Sequence, residues 1–289
     1  MRSGLTGRLA RPARVQASGT PLRETAATRV ASEFSALLAI AQRDVTKLVR
    51  DRPRLGVNLA FPVLLIAGLG GLLQATVGRV TGLSTITLSF TGVLAASLFQ
   101  SAAAGMISIV EDRENDFSRE LFIAPVARLT LLAGKITGES AVAVFQGVLI
   151  TAFAFAFGVR LTTPQLLGLA GTGLACCLLG AAFGLATISA LPSQRSAMQI
   201  FQFLIIPQYV LGGVLVPLNG APRVLSDLAW IMPMRYCVDL VRAVFYAGEP
   251  GYSRVVTAGA GVDLAVIAGL TAILLAAGGW LFNYRERVR

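Results

Sequence analysis

Residues 86–128 read ITLSFTGVLAASLFQSAAAGMISIV and then EDRENDFSRELFIAPVAR, an uncharged apolar run followed by a densely charged segment. A transmembrane helix takes about 20 mostly apolar residues, and the run 86–110 is longer than that. A further apolar run, 136–159, follows the charged segment. We therefore expect the charged segment to be the part of this region that meets water.

Six apolar runs of this kind occur along the chain, at 55–77, 86–110, 136–159, 166–191, 198–216 and 262–282. With 55% hydrophobic residues and a mean hydropathy of +0.70, the chain is predicted to be an integral membrane protein. Because the runs are continuous and do not alternate, helices are favoured over a barrel. Buried helices of a water-soluble protein would leave roughly half of the chain without a polar face. The predicted fold class is an all-α membrane protein with six transmembrane helices.

Basic residues are unevenly distributed between the loops. If both termini lie on one side, then residues 1–54, 111–135 and 191–197 and the tail carry 19 of the 25 Lys and Arg residues. The positive-inside rule then places both termini and the charged segment in the cytoplasm of a multi-pass protein of the cell (inner or plasma) membrane. Nucleic-acid binding is the weaker explanation of the net charge of +10, because the basic residues are not gathered on one surface.

The N-terminal region divides into two parts. Residues 1–31 contain few large apolar groups and are predicted to be a flexible cytoplasmic segment. Residues 32–54 place apolar and basic side chains on opposite sides of a helix, the apolar ones being Phe34, Leu38, Ala41, Val45 and Leu48 and the basic ones Arg43, Lys47, Arg50 and Arg54. This pattern predicts an amphipathic helix in the headgroup layer, in contact with membrane lipid or a cytosolic partner. Residues 55–289 form the predicted transmembrane domain.

The charged segment is acidic in a basic chain. Residues 111–120 hold five acids and two arginines. From composition alone, the simpler interpretation is a loop that is charged to stay in water. The order of the residues adds information, because the acidic turn leads into Leu121, Phe122 and Ile123, and Pro125 is expected to end a helix.

Two separated blocks of sequence carry a family resemblance. The first block contains Asp112-Arg-Glu114, Arg119-Glu120-Leu121, Ile123-Ala-Pro-Val126, Arg128 and Gly134-Lys135. The second block contains Gly212-Gly213, Pro217-Leu218, Pro233-Met-Arg-Tyr236 and Asp239-Leu-Val-Arg242. Over residues 32–289 the chain resembles type-2 ATP-binding-cassette (ABC) export permeases, including drug-resistance and polysaccharide exporters. It departs from that pattern at Asp116, Met232 and Arg235, where Gly, Asn and Thr are common.

The resemblance implies a permease subunit whose loop between spans two and three is a coupling helix seated on a separate cytosolic ATPase. The implied coupling residues are Asp112, Arg113, Glu114, Asp116, Phe117, Arg119, Glu120, Leu121, Phe122, Pro125 and Arg128. A separate ATPase is also indicated because Gly134-Lys135 continues into Ile136, without the phosphate-binding Gly-x-x-x-x-Gly-Lys-Ser/Thr. ATP and magnesium would bind that partner, and no cofactor is expected in this chain. A second permease subunit, identical or paralogous, completes the implied assembly.

The segment 217–260 mixes charged and aromatic residues, which is typical of short helices at the outer membrane interface. Asp239 and Arg242 lie three residues apart, so a helix would allow them to pair. In the family this region is a re-entrant hairpin that closes the outer end of the pathway, and the implied external gate is Pro233, Tyr236, Asp239 and Arg242. A plain extracellular loop does not explain the apolar residues 238, 240, 241, 244 and 245.

Polar residues inside the apolar runs are few. Gln199, Gln202 and Gln208 either line a translocation path or hydrogen-bond to neighbouring helices, and the sequence leaves both alternatives open. Glu139 follows Lys135 by one helical turn and is predicted to pair with it.

Small residues favour close helix packing, and the chain has few side chains suited to catalysis or metal binding. Gly180 with Gly184, and Ser101 with Gly105, permit close helix packing. The chain has no histidine, and Cys176, Cys177 and Cys237 lack the spacing of metal ligands, so neither catalysis nor a metal site is expected.

The sequence thus predicts the permease subunit of an ATP-driven exporter of a drug, lipid or glycan-type substrate. Two alternatives remain: an ATPase-independent secondary transporter, and a membrane assembly or anchoring protein. Inverted repeats and acids at mid-membrane would favour the secondary transporter, and the acids lie near the ends of the runs.

The topology can be tested by cysteine labelling. In a chain lacking its three native cysteines, a cysteine at position 116 is expected to react with an impermeant maleimide in inside-out vesicles and not in intact cells, because the positive-inside rule places it in the cytoplasm. A cysteine at position 249 is the control and should react in intact cells. Labelling of position 116 from outside would contradict the topology.

Overall fold

The structure, a computed structural model, describes residues 35, 38–39, 42–48, 50–74, 84–114, 128–189, 191, 193–218 and 221–288. All the elements among them are helices: α1 (residues 42–48), α2 (Arg52–Leu64), α3 (Thr85–Glu114), α4 (Arg128–Ala156), α5 (Thr163–Ser189), α6 (Gln194–Leu211), α7 (Arg223–Ala229), α8 (Pro233–Phe245), α9 (Tyr252–Val255) and α10 (Ala260–Val288). A π-helical turn, Leu65–Leu69, and a short helix, Gly70–Leu73, continue α2. The prediction of an all-helical chain is confirmed for these residues.

Five stretches of the described chain are long and apolar enough to cross a membrane. They are Leu55–Leu73, Thr85–Ile107, Leu132–Ala156, Thr163–Ser189 and Tyr252–Leu281, and they coincide with five of the six predicted runs. The remaining run, 198–216, lies on α6, which has 18 residues and contains four glutamines and an arginine. Its composition does not mark it as a span, and the six-span topology stays a prediction.

Helix α3 lies at the centre of the bundle. In the 18 most apolar consecutive residues of its stretch, 83% of the residues are buried, compared with 11% for the corresponding residues of the stretch that includes α10. Helices α2, α4, α5, α6 and α8 all pack against it. Small side chains make this possible, since Ala95, Ala96, Ala102 and Ala103 are fully buried on α3.

Helix α5 makes the most extensive contact with α3. Gly180 and Gly184 lie directly against the α3 backbone, where an added Cβ would overlap the carbonyl oxygens of Phe99 and Ala103, respectively. Small residues four apart allow two membrane helices to approach closely and gain dispersion energy. The prediction that these glycines serve close packing is confirmed within this one chain.

The segment between α6 and α10 forms short helices. Eleven of the 13 residues of α8 are buried, and α8 packs against α3, α5, α6 and α10. Pro233 occupies its first position, where the missing N–H costs no hydrogen bond. Residues 233–245 are therefore a packed helix and not a water-exposed loop, while their position in the membrane stays a prediction.

The predicted N-terminal amphipathic pattern is present only in part, because Leu38, on the predicted apolar side, is 51% exposed and the acid Asp44 is buried. Asp44 and Leu48 are buried, and Arg43 and Lys47 are exposed. The predicted location in the headgroup layer stays a prediction. The predicted flexible segment, 1–31, lies outside the described residues.

The close contact of α5 with α3 predicts different effects for two glycines of α5. Gly180→Ala should lower the unfolding free energy of the purified chain by about 1–3 kcal/mol, because its methyl group forces the helices apart. Gly171 has no atom within 4 Å of an added Cβ, so Gly171→Ala should leave stability unchanged or raise it by up to about 1 kcal/mol. Thermal unfolding in detergent measures both, and equal stability of the two variants would contradict the packing.

Candidate functional site

Two buried polar clusters lie near opposite ends of α3. The first, the Gly92 cluster, consists of Asp239 and Arg242 of α8 and the backbone groups that they bind. The second, the Gly105 cluster, consists of Asp44 of α1 with Lys135 and Glu139 of α4. Gly92 and Gly105 are 13 positions apart on α3, which corresponds to roughly 20 Å along a helix.

In the Gly92 cluster, Arg242 binds the turn that follows α6. Its Nη2 donates hydrogen bonds to the carbonyl oxygens of Gly213 at 2.7 Å and Val214 at 3.2 Å. Gly213 has a φ of +67°, a left-handed conformation that favours glycine. The turn reaches α3 at Gly92, where an added Cβ would overlap the carbonyl oxygen of Val214. Arg242 thus satisfies two backbone carbonyls at a point where α6 has ended.

Asp239 binds the segment that leads into α10. Its Oδ1 accepts a hydrogen bond from the Thr257 N–H at 2.9 Å, and its Oδ2 accepts from the Ala258 N–H at 2.7 Å. Among the described residues, no salt bridge joins Asp239 to Arg242, so the predicted ion pair between them is wrong. Arg242 instead binds carbonyl groups of the turn after α6, and Asp239 binds N–H groups of the segment before α10.

The other predicted gate residues also belong to α8 and the turn before it. The Tyr236 hydroxyl donates to the Trp230 carbonyl at 2.7 Å, and the Arg235 guanidinium stacks 3.8 Å above the Trp230 ring. Pro233 begins the helix, and the neighbouring Met234 N–H donates to Gln208 Oε1 at 3.2 Å. The four predicted gate residues are therefore brought together by one buried helix.

Asp263 was not predicted to belong to this region. It lies on α10 and is fully buried. Its carboxyl group lies close to that of Asp239 on α8. In the sequence it is the second residue of the apolar run 262–282. Neither the approach of Asp263 to Asp239 nor the role of Gly92 has a signal in local spacing.

In the Gly105 cluster, Lys135 lies between two acids. Its Nζ is 2.8 Å from Glu139 Oε1 and 3.1 Å from Asp44 Oδ2. All three residues are at most 7% exposed. The predicted Lys135–Glu139 pair is confirmed, and Asp44, which sequence reasoning missed, joins α1 to it from 91 residues away.

The glycine of α3 makes room for this cluster. An added Cβ at Gly105 would overlap the Glu139 carboxylate. Because Lys135 and Glu139 are one turn apart on α4, their pairing fixes both side chains against α3 and α1. Removing one member of a buried charge cluster leaves an uncompensated charge, which typically costs about 3–5 kcal/mol.

The predicted coupling residues fall largely on the connection between α3 and α4. Residues 112–114 form the last turn of α3, and Arg128 begins α4. Asp116, Phe117, Arg119, Glu120, Leu121, Phe122 and Pro125 lie outside the described residues. The two helices that flank this connection are α3, which contains Gly105, and α4, which carries Lys135 and Glu139.

The three glutamines of α6 have different surroundings. Gln202 lines a cavity between α2, α3, α4 and α6. Gln208 is buried and hydrogen-bonds to Met234 of α8. Gln199 is exposed and is not among the residues that line the cavity.

The chain is similar to one known protein family and to several known proteins. Residues 35–246 match the family model described as ABC-2 type transporter. Nodulation protein J of Rhizobium leguminosarum bv. trifolii is 29% identical over 199 residues, which cover 67% of this chain and 74% of that protein. The probable multidrug ABC transporter permease YbhR of Escherichia coli (strain K12) is 26% identical over 149 residues, 48% of this chain and 38% of that protein. The putative transport permease ycf38 of Cyanophora paradoxa is 23% identical, with 72% and 73% covered.

The contacts of the Gly92 cluster predict that exchanging its two charged residues destabilises the protein. An ion pair would tolerate Asp239→Arg combined with Arg242→Asp, whereas the observed partners are fixed carbonyls for residue 242 and fixed N–H groups for residue 239. We expect the exchanged protein to be at least as unstable as Arg242→Ala, with each carbonyl left unsatisfied costing about 1–3 kcal/mol. Thermal unfolding measures this, with Arg223→Ala on the exposed face of α7 as the control. Stability restored by the exchange would contradict the assignment.

Proposed function

The chain belongs to the ABC-2 type transporter family, and on that premise we propose that it is the six-span membrane subunit of an ATP-driven exporter. Its cargo is a drug, lipid or glycan-type molecule that leaves the cytoplasm or the inner leaflet. Both termini and the 111–128 segment lie in the cytoplasm, and α8 lies near the outer surface. Family membership supports a membrane subunit, and the basic-residue count supports the orientation.

The main support for this proposal is the position of α3 in the bundle. This helix is the most buried of the five candidate spans, ends in the acidic segment at Glu114, and contacts α8 at the other end of the bundle. A force applied where α3 ends therefore acts on the element that packs against the Gly92 cluster. Small shifts of packed helices are a common means of transmitting such a change.

The proposed docking site for the ATPase is the segment 111–128. Its acids supply a charge that complements a basic groove on the partner, and Phe117, Leu121 and Phe122 supply an apolar anchor. The Gly105 cluster lies just beyond it on α4, because Lys135 is seven residues after Arg128. Through Asp44 the same cluster holds α1, so that α1, α3 and α4 move together when the partner ATPase binds or releases ATP.

The proposed outer gate is α8 with its two buried charges. Arg242 binds the turn after α6 and Asp239 binds the segment before α10, so that α8 fixes the relative positions of two helices. Opening the outer end requires these hydrogen bonds to move as a unit or to break. The complete transporter contains a second permease subunit, identical or paralogous, and two ATPase chains.

Charge reversal tests the docking site. Glu114→Lys combined with Glu120→Lys should weaken ATPase binding by an amount on the order of 1–3 kcal/mol, so less ATPase activity should co-purify with the tagged permease. The matched control is Asp227→Lys combined with Glu249→Lys, which reverses two exposed acids in the proposed external segment.

The control protein should retain the ATPase, and both double variants should be obtained in wild-type amounts. Retention of the ATPase by the Glu114 and Glu120 variant would refute docking at this segment. A wild-type chain that moves cargo in proteoliposomes without any ATPase would instead identify a secondary transporter.

A further inference from the structure

Asp263 is a buried acid without an ordinary partner. It lies in the first turn of α10, and its side chain is fully buried. Acids in the first turn of a helix often accept hydrogen bonds from the free N–H groups there. Neither carboxyl oxygen of Asp263 accepts a hydrogen bond from any donor among the described residues. Because buried acids inside apolar helices are costly, they are functional candidates by default.

The group within hydrogen-bonding reach of Asp263 is the carboxyl group of Asp239 on α8. Asp239 already accepts hydrogen bonds from the N–H groups of Thr257 and Ala258, so its oxygens act as acceptors. Two ionised carboxylates offer acceptors only, whereas a protonated carboxyl group has an O–H that donates. A hydrogen bond from Asp263 to Asp239 therefore requires one bound proton.

The helices packed against α10 offer no replacement for this proton among the described residues. These helices are α5 and α8. Helix α5 contains no Asp, Glu, Lys, Arg or Tyr, and its titratable groups are the thiols of Cys176 and Cys177. On α8, Tyr236 lies near Asp263, but its hydroxyl donates to the Trp230 carbonyl.

Arg235 is the cation of α8 that lies near Asp263. Its guanidinium stacks above the Trp230 ring, and within the described part of the chain it forms no ion pair with Asp263. Its Nη1 is buried and has no hydrogen-bond partner there. An ionised Asp263 would attract this guanidinium into direct contact, because an unpaired charge in a buried place is costly. The absence of that contact supports a neutral Asp263.

We propose that Asp263 and Asp239 hold one proton between them and that this proton joins α10 to α8. With the proton bound, the Asp263 O–H donates to Asp239, whose remaining hydrogen bonds hold residues 257 and 258. When water takes the proton, two negative charges face each other between the helices and the contact loosens. The pair is thus a reversible proton-binding site that makes the packing of α8 depend on pH. That this loosening opens the outer gate rests on the proposed function, whereas proton binding is a property of this chain alone.

Infrared spectroscopy of the full chain in dodecyl maltoside, a detergent without carbonyl groups, tests whether the proton is present. Near neutral pH the wild type should show the C=O stretching band of a protonated carboxyl group, and ¹³C labelling of the aspartate carboxyl groups should shift it. The band should be lost in Asp263→Asn and retained in Asp227→Asn, the matched control at an exposed acid of α7. A wild-type spectrum without a label-sensitive band would overturn the proposal, and so would a band that persists in Asp263→Asn.

Thermal unfolding as a function of pH tests whether the proton joins the helices. The unfolded chain keeps the two carboxyl groups apart in water and releases this proton at lower pH than the folded chain does. Raising the pH from about 5 to about 9 therefore removes a proton from the folded state only, so stability should fall. The unfolding temperature of the wild type and of Asp227→Asn should drop by at least a few degrees more than that of Asp263→Asn. An equal pH dependence of all three proteins would overturn the proposal.

Two variants of Asp263 distinguish the shared proton from an ion pair with Arg235. The amide of Asp263→Asn can donate to Asp239 as the protonated acid does, so this variant should match the wild type at low pH and exceed its stability at high pH. Asp263→Ala has no donor and should unfold at a lower temperature than Asp263→Asn. A loss of stability in Asp263→Asn at every pH would indicate an ion pair with Arg235 and overturn the proposal. Equal stability of the two variants would show that no hydrogen bond to Asp239 is made.

The two proposals fail in different ways. No ATPase is present in the infrared or unfolding measurements, so loss of ATPase docking as the cause of a negative result is excluded. If the label-sensitive band is missing, the proton site is wrong and the docking test on Glu114 and Glu120 is unaffected. If the docking test fails while the band is present and is lost in Asp263→Asn, the proton site stands and the ATP-driven function is wrong.

Discussion

The rest of the structure depends on the direct contacts that neighbouring groups make with the backbone of α3. At Gly92 a carbonyl of the turn after α6 touches the helix, and at Gly105 the Glu139 carboxylate does so. On another side, Gly180 and Gly184 of α5 bring two backbones together. In lipid there is no hydrophobic force between apolar helices, and close packing must supply the association. A side chain at Gly92 or Gly105 would displace groups of the polar clusters, and a side chain larger than hydrogen at Gly180 or Gly184 would separate α5 from α3.

This constraint also links the two clusters mechanically. The Gly92 cluster and the Gly105 cluster contact the same helix at points roughly 20 Å apart. A packed helix transmits displacement along its axis better than it deforms, because interiors are dense and only slightly compressible. Movement of α3 at one end must therefore be accommodated by the cluster at the other. The polar cavity lies between them and shares Glu139 with the Gly105 cluster, so that its shape depends on the same movement.

The sequence predicted the features that depend on local spacing. Apolar run lengths predicted five described candidate spans, the four-residue spacing of Gly180 and Gly184 predicted close packing, and the one-turn spacing of Lys135 and Glu139 predicted their pair. Partners distant in the chain left no such signal. Asp44 reaches Lys135 from 91 positions away, and Arg242 binds carbonyls 28 and 29 positions away. The spacing of Asp239 and Arg242 was right for a pair, yet backbone groups of two separate connections bind both charges instead.

Those contacts explain why charged residues occur inside this fold. After α6 ends at Leu211, the backbone leaves its helical hydrogen-bonding pattern among the buried residues 212–214. Before α10 begins at Ala260, the irregular segment 257–259 is only partly buried. Carbonyl and N–H groups without partners are costly there, and in a membrane irregular backbone persists only where protein or water satisfies it. A guanidinium offers several donors and a carboxylate several acceptors, so Arg242 and Asp239 each satisfy two backbone groups. The two charges thus attach two irregular connections to one buried helix.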